Sequence, residues 1–235
     1  MENVMENMES LRTEALFDLS HTIAAPLLSR FAYPWEALPH LSDFIVELGK
    51  TLDPEKFTSP SENVWIARSA RVAPSASISA PCIIDENAEI RHCAFIRGSA
   101  IVGKNAVIGN STELKNAIIS DDVQVPHFNY CGDSVLGYHA HMAAGVITSN
   151  VKSDKTNVTI RLGSRRIETG MRKLGAMLGD YAEIGCNSVL NPGTVIGKHT
   201  NVYPLSRVRG VIPPNSIFKA EDNIVEKINQ FGKAE

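Results

Sequence analysis

Cysteine is scarce in this sequence of 235 residues: Cys82, Cys93, Cys131 and Cys186, with no Cys-x-x-Cys pair among them. That scatter excludes a disulfide framework and the paired-ligand spacing of a structural zinc site, and it fits a reducing cytoplasm. No apolar run approaches the roughly 18 residues that a membrane-spanning helix needs. Neither sign of charge is in excess, with 23 Lys and Arg against 26 Asp and Glu and a net charge of −3. A near-neutral chain gives no electrostatic reason to expect a nucleic-acid partner. The opening MENVMENMES lacks the basic-then-apolar order of a secretory signal. With 16 Gly and 12 Pro, the chain is neither collagen-like nor a low-complexity linker.

What is present is a repeat. An aliphatic residue recurs every six positions at Ile66, Val72, Ile78, Ile84, Ile90, Ile96, Val102, Ile108 and Leu114. Four residues after each of the first eight comes a small one: Ala70, Ala76, Cys82, Ala88, Ala94, Ala100, Ala106 and Thr112. The register slips, resumes at Ile119, Val125, Cys131, Leu136 and Met142, and returns as Leu178, Ile184, Leu190, Ile196, Val202 and Val208. A period of six fits neither an amphipathic helix nor an alternating strand. It fits a solenoid of short strands with a corner every six residues, the aliphatic residue pointing inward. Gly179, Gly185, Asn191 and Gly197, which follow four of the aliphatic positions, are expected to supply positive φ at the corners. Such coils bury their apolar face only by stacking. Three faces of six residues predict about seven coils over 63–217.

Residues 1–62 read as a short N-terminal helical cap on the open end of the first coil. Leu11 to Ser20 is compatible with helix, Tyr33-Pro34-Trp35-Glu36 with a turn, and 42–49 with a helix capped by Ser42 and ended by Gly49. Residues 218–235 are a C-terminal tail in which 221–231 is expected to form a helix over the other end. Residues 150–173 break the repeat and carry Lys152, Lys155, Arg161, Arg165, Arg166, Arg172 and Lys173 against Asp154 and Glu168. Two readings stand: a solvated excursion, or an arm reaching over an anionic ligand or into a neighbouring subunit.

The period and the small residues together resemble the hexapeptide-repeat acyltransferases, whose fold is a left-handed parallel β-helix. Three segments sharpen the resemblance: Gly109-Asn-Ser-Thr-Glu-Leu-Lys115, His127-Phe-Asn-Tyr130-Cys-Gly132-Asp133, and Ala143-Ala-Gly145-Val-Ile-Thr-Ser-Asn150. They are similar to the acetyltransferase domain of the bifunctional glucosamine-1-phosphate acetyltransferase/N-acetylglucosamine-1-phosphate uridyltransferases. That family's uridyltransferase domain has no counterpart here, so uridyltransferase activity is not expected of this chain.

The resemblance implies N-acyl transfer from acetyl-CoA, or another acyl-CoA, to an amino-sugar phosphate or sugar nucleotide. It also implies a cytoplasmic homotrimer needing no metal. His127 matches the general base, and a base is needed because a sugar amine is largely protonated at neutral pH. Arg97 and Lys115 match ligands of the sugar phosphate, for which cations suit. Tyr130, Asn150 and Lys155 match further substrate contacts, and His141 stands where the family has a substrate-contacting Asn. Ala144, Cys186, Tyr203 and Lys219 match the acyl-CoA channel, with an N–H near Ala144 facing the oxyanion. The sequence departs from the pattern at Val151, which replaces a Tyr, and at Glu221, which replaces an Arg. Asp133 reads as a corner residue accepting from backbone N–H groups. Two rivals stay open. One is a catalytically inactive sugar-phosphate or sugar-nucleotide binding trimer. The other is a γ-carbonic-anhydrase-like zinc enzyme using His92, His127 or the pair His139 and His141.

Overall fold

A computed structural model of the chain describes residues 8–228. The six-residue period becomes a parallel β-solenoid with three faces. On the first face, Val64 lies opposite Cys82, Cys82 opposite Ala100, and Ala100 opposite Ala117, coil upon coil. The second face stacks Arg71–Val72, Glu89–Ile90, Val107–Asn110, Gln124–His127, His141–Met142, Glu183–Ile184, Asn201–Val202 and Ser216–Ala220. The third stacks Phe95–Ile96 on Glu113, Glu113 on Tyr130, Tyr130 on Ile147, and Ile147 on Val189. The second face is a nine-stranded sheet; removing its one antiparallel strand leaves eight parallel strands, so the coils outnumber the seven expected.

The repeat residues fill the interior. Ile84, Ile90, Ile96, Val102, Ile108, Leu114, Ile119 and Val125 form one buried cluster with Cys82, Ala88, Ala94, Ala100 and Ala106. Burial pushes the thiols of Cys82 and Cys131 up to about 12, so both act as small apolar residues. The slip after Leu114 has a local cause. Glu113–Ile119 and Tyr130–Leu136 each run from the third face into the first as one strand. The bend occurs at Asn116 (φ 49°) and Asp133 (φ 49°), one residue shorter than the other corners.

The corner chemistry differs from expectation. Positive φ falls on Asn87, Asn105, Asp122, Asn187 and Asn215, not on Gly179, Gly185, Asn191 or Gly197. Asn and Asp tolerate this conformation through local hydrogen bonding. Gly185 and Gly197 serve close stacking instead: a Cβ there would collide with the backbone at Pro204 and Pro214 of the next coil.

The helical segment also lies elsewhere than expected. It comprises Met8–Leu11, Thr13–Leu16, Leu19–His21, Ala25–Leu28, Pro34–His40 and Leu41–Gly49. It covers the lateral first face, not the open end. Strands such as Cys82–Ile84 and Ala100–Val102 are buried at all three positions. Their middle residues Ile83, Ile101, Ile118 and Val135 point outward into a second apolar layer with Leu11, Leu27, Leu38 and Ile45. On the first face the antiparallel strand Phe57–Ser61 edges the first coil, while Val72 on the second face stays 37% exposed. Leu41–Gly49 is preceded by His40, not capped by Ser42, and Gly49 gives Trp65 room, since a Cβ would meet its ring. Asp180, 4% exposed, ties the segment down: it accepts the Asp18 N–H at 2.8 Å and pairs with Lys198 at 2.9 Å.

The basic excursion folds back on its own solenoid. Thr159–Leu162 and Arg165–Glu168 form a hairpin whose Ile160 and Leu162 join Val195 in the same lateral layer. The far end of the solenoid is closed by another hairpin, Ser216–Ala220 against Asn223–Glu226, with Phe218 buried. The expected helix over 221–231 is therefore absent through residue 228, and its remainder lies outside the described residues. The strand wins because Ile217 and Phe218 continue the ladder of Asn201–Val202.

Candidate functional site

Four of the expected substrate residues meet at the corner between the third and first faces. Lys115 Nζ donates to Asp133 Oδ1 at 2.8 Å and Oδ2 at 3.2 Å. Asn116 Nδ2 donates to Asp133 Oδ1 at 2.9 Å, and Asn150 Nδ2 donates to Asp133 Oδ2 at 2.5 Å and to Tyr130 Oη at 3.0 Å. One step out, Arg97 Nη1 donates to Glu113 Oε1 at 2.7 Å. Register explains the convergence: Lys115 lies opposite Gly132, and Glu113 opposite Tyr130.

Asp133 is the hub. Its side chain is 4% exposed, and its carboxylate takes side-chain donors, not the backbone N–H groups expected of it. Gly132 makes room for Tyr130, whose phenol would collide with a Cβ there. Its N–H donates to Thr148 Oγ1 at 2.9 Å. Burial first, and then the Asp133 charge, hold the Tyr130 phenol above its usual range. The phenol oxygen accepts from Asn150, and its O–H remains available to donate. Glu113, Asn116 and Thr148 also belong to this cluster, although neither the repeat nor the resemblance gives them a role. Their signal was position: Glu113 lies one coil from Tyr130, and Asn116 follows Lys115.

His127 stands at the neighbouring corner, where the second face turns into the third. It ends the strand Gln124–His127 opposite Asn110, and its side chain is exposed. Its backbone is held on both sides: its N–H donates to Asn129 Oδ1 at 3.0 Å, and its carbonyl accepts from Gly145 at 3.0 Å. Asn129 is itself buried and donates to the Ala143 carbonyl at 2.7 Å. The next residue, Phe128, has φ 51° and is 65% exposed. Tyr181, His199 and Leu205 take the same conformation at other corners, so it belongs to the solenoid turn.

Ala144 and Cys186 follow His127 up the same corner, linked by the bonds Gly145 N–H to His127 and Asn187 N–H to Ala144. The Ala144 N–H donates to no oxygen among the described residues. Tyr203 stands higher on this side, with Lys219 Nζ 6.0 Å from its ring centre.

His141 and Lys155 lie apart from both groups. His141 Nδ1 is 2.8 Å from Glu183 Oε2 on the second face, and Lys155 is exposed on the excursion. His139 does not share a face with His141. It sits at a corner with φ 55° and stacks on Tyr181. His92 shares the corner of His127 two coils away, since the Asn110 side chain bonds its carbonyl. No His, Cys, Asp and Glu group suited to a metal occurs among the described residues. No helix among them is long and apolar enough to cross a membrane.

Comparison with known proteins gives a consistent likeness. A family model described as the GMPPB C-terminal domain matches residues 60–153. A bifunctional sugar-1-phosphate nucleotidylyltransferase/acetyltransferase of Sulfurisphaera tokodaii is 33% identical over 109 residues, 46% of this chain and 27% of that protein. The bifunctional protein GlmU of Methanococcus maripaludis is 30% identical over 115 residues, 49% of this chain and 28% of that protein. The similarity lies in their C-terminal, acetyltransferase-type region. This chain thus spans under a third of the length of these curated relatives. Among solved structures, the polySia-specific acetyltransferase NeuO aligns with a TM-score of 0.43 at 14% identity, covering 74% of this chain and 93% of that one.

Proposed function

We propose that this chain is an acyl-CoA-dependent N-acyltransferase, with acetyl as the first acyl group to test. Its acceptor is an amino-sugar phosphate such as glucosamine 1-phosphate, or a related sugar nucleotide. One observation carries the reading: Arg97, Lys115, Tyr130 and Asn150, drawn from four successive coils, gather at one corner, where Lys115 and Asn150 bond the Asp133 carboxylate, Tyr130 is held by Asn150, and Arg97 is held by Glu113. The likeness to sugar-1-phosphate nucleotidylyltransferase/acetyltransferases supports it.

In this reading His127 takes a proton from the acceptor amine as its nitrogen attacks the thioester carbonyl. The N–C bond forms, the C–S bond breaks, and the thiolate leaves with a proton returned from the imidazolium. The unpartnered Ala144 N–H, on the coil next to His127, suits the oxyanion. The acyl donor runs up the same corner past Cys186 toward Tyr203 and Lys219.

The Asp133 cluster and His127 lie at opposite edges of the third face. In this reading a sugar phosphate held by one chain's cluster reacts at the His127 of a neighbouring chain. A homotrimer in which third faces meet supplies that geometry. It also covers Phe95, Ile147 and Val189, which stand exposed in one ladder with Glu113 and Tyr130. Sedimentation of a monomer at assay concentration sinks this arrangement. The free cysteines, two of them exposed, support a reducing, cytoplasmic setting.

The test is coenzyme A release from acetyl-CoA with glucosamine 1-phosphate or an amino-sugar nucleotide as acceptor. Release that needs the amino sugar is the expected result. No release with any acceptor, while a sugar phosphate still raises the melting temperature, supports the binding-protein reading instead.

Arg97 and Lys115 face Glu113 and Asp133, so the cluster is charge-balanced. A phosphate must compete with Glu113 for Arg97. Glu113→Gln should tighten glucosamine 1-phosphate binding about two- to fivefold, the scale of an exposed ion pair. Calorimetry showing weaker binding would assign Glu113 to the sugar and not to the restraint of Arg97.

A further inference from the structure

A denser group of cations lies away from the Asp133 cluster. Two adjoining hollows of about 70 and 100 Å³ lie where the hairpin Thr159–Leu162/Arg165–Glu168 crosses the last coils. Lys152, Arg161, Arg166 and Arg209 line the first, and Arg161, Arg207 and Arg209 line the second with Glu221. Arg161 and Arg209 are common to both.

Five cations here meet little opposing charge. Arg207 pairs with Glu221 at 3.6 Å, and Lys152 with Asp154 at 3.3 Å. Arg161, Arg166 and Arg209 have no acidic partner among the described residues. Moreover, Arg161 lies directly opposite Arg166 in the hairpin. Like charges in that position destabilise a strand pair.

The fold nevertheless enforces the approach. Ile160 and Leu162 anchor the hairpin through its buried side, which turns Arg161 outward. At Gly210, φ is +82° and a Cβ would stand 2.7 Å from the Arg161 carbonyl. Glycine there lets the hairpin backbone press against the coil that carries Arg209. Arg207 and Arg209 flank the inward Val208, so both point outward.

We propose that Arg161, Arg166, Arg207 and Arg209, with Lys152, bind an organic diphosphate on the outer side of the hairpin. Two phosphate-sized hollows sharing two guanidinium groups match two linked phosphates, which planar N–H forks recognise well. The site stands on its own residues. Its identity as the seat of a co-substrate's diphosphate rests on the acyltransferase reading. That diphosphate belongs either to the acyl donor or to a nucleotide-linked acceptor.

Titration of the full chain with inorganic pyrophosphate tests the site. Wild type should bind saturably. Arg161→Ala/Arg209→Ala should bind about tenfold more weakly or worse, and Lys115→Ala within about twofold of wild type. Arg166→Gln, one exposed substitution on the hairpin, gives a smaller loss in the same direction and serves if the double variant fails to fold. Equal binding by wild type and both arginine variants, or no binding by wild type, overturns the site. Loss in Lys115→Ala alone places the anion at the Asp133 cluster and overturns it too, while leaving the acyltransferase reading intact. Coenzyme A and a uridine diphosphate sugar, titrated separately, distinguish the sources: the true one weakens in the arginine variants. If neither weakens although pyrophosphate does, the organic assignment is wrong.

Discussion

His127→Ala should lower the turnover of coenzyme A release about a hundredfold or more, the range that general-base catalysis contributes. The acceptor's KM should change little, because the sugar-phosphate cluster lies at another corner. The protein itself should be undisturbed. The imidazole is exposed and has no partner among the described residues, so its removal should shift stability by about 0.5 kcal/mol or less. The corner is held without it, by Asn129 below and by the Gly145 N–H above. A fall in activity therefore cannot be ascribed to unfolding. Turnover within about threefold of wild type would remove His127 from the chemistry. A rise in acceptor KM at constant turnover would make it a binding residue.

Asp133→Ala should have the largest effect on stability. The carboxylate satisfies donors from Lys115, Asn116 and Asn150 and is almost wholly buried. Removing it strands a partly buried ammonium and two amide groups, a loss of about 2–4 kcal/mol. Alanine also loses the residue type that tolerates φ 49°, adding about 1 kcal/mol. Asp133→Asn keeps the shape and the backbone preference and should lose less. Chemical denaturation at fixed protein concentration measures both. A loss below about 1 kcal/mol for Asp133→Ala would show that the cluster reorganises without its centre. Equal losses for the two variants would assign the whole effect to charge.

The six-residue period is enough to require a solenoid. A period of six at Ile84, Ile90, Ile96 and Val102 permits stacking in only one way, because each coil must bury the same residues against its neighbours. It also separated the helical segment and the basic excursion from the repeat. Through the resemblance the sequence singled out Arg97, Lys115, Tyr130 and Asn150, which the fold does bring together. The resemblance alone selected those four; the repeat explains only why residues one coil apart stand side by side.

Other features were not legible. The outward residues Ile83, Ile101 and Ile118 recur only once per coil, so the six-residue pattern hides them. They draw the helices and the hairpin to the first face. The pairing of Asp133 with Lys115, Asn116 and Asn150 spans neighbouring coils, and a one-residue deletion at that corner brings them into reach. The groove of Arg161, Arg166, Arg207 and Arg209 joins segments some forty residues apart in the sequence. Only the return of the hairpin onto Gly193 and Gly210 makes them neighbours. Contacts set by the repeat follow from the order of residues. Contacts set by an insertion folding back depend on which buried face it finds, and the order of residues does not specify that face.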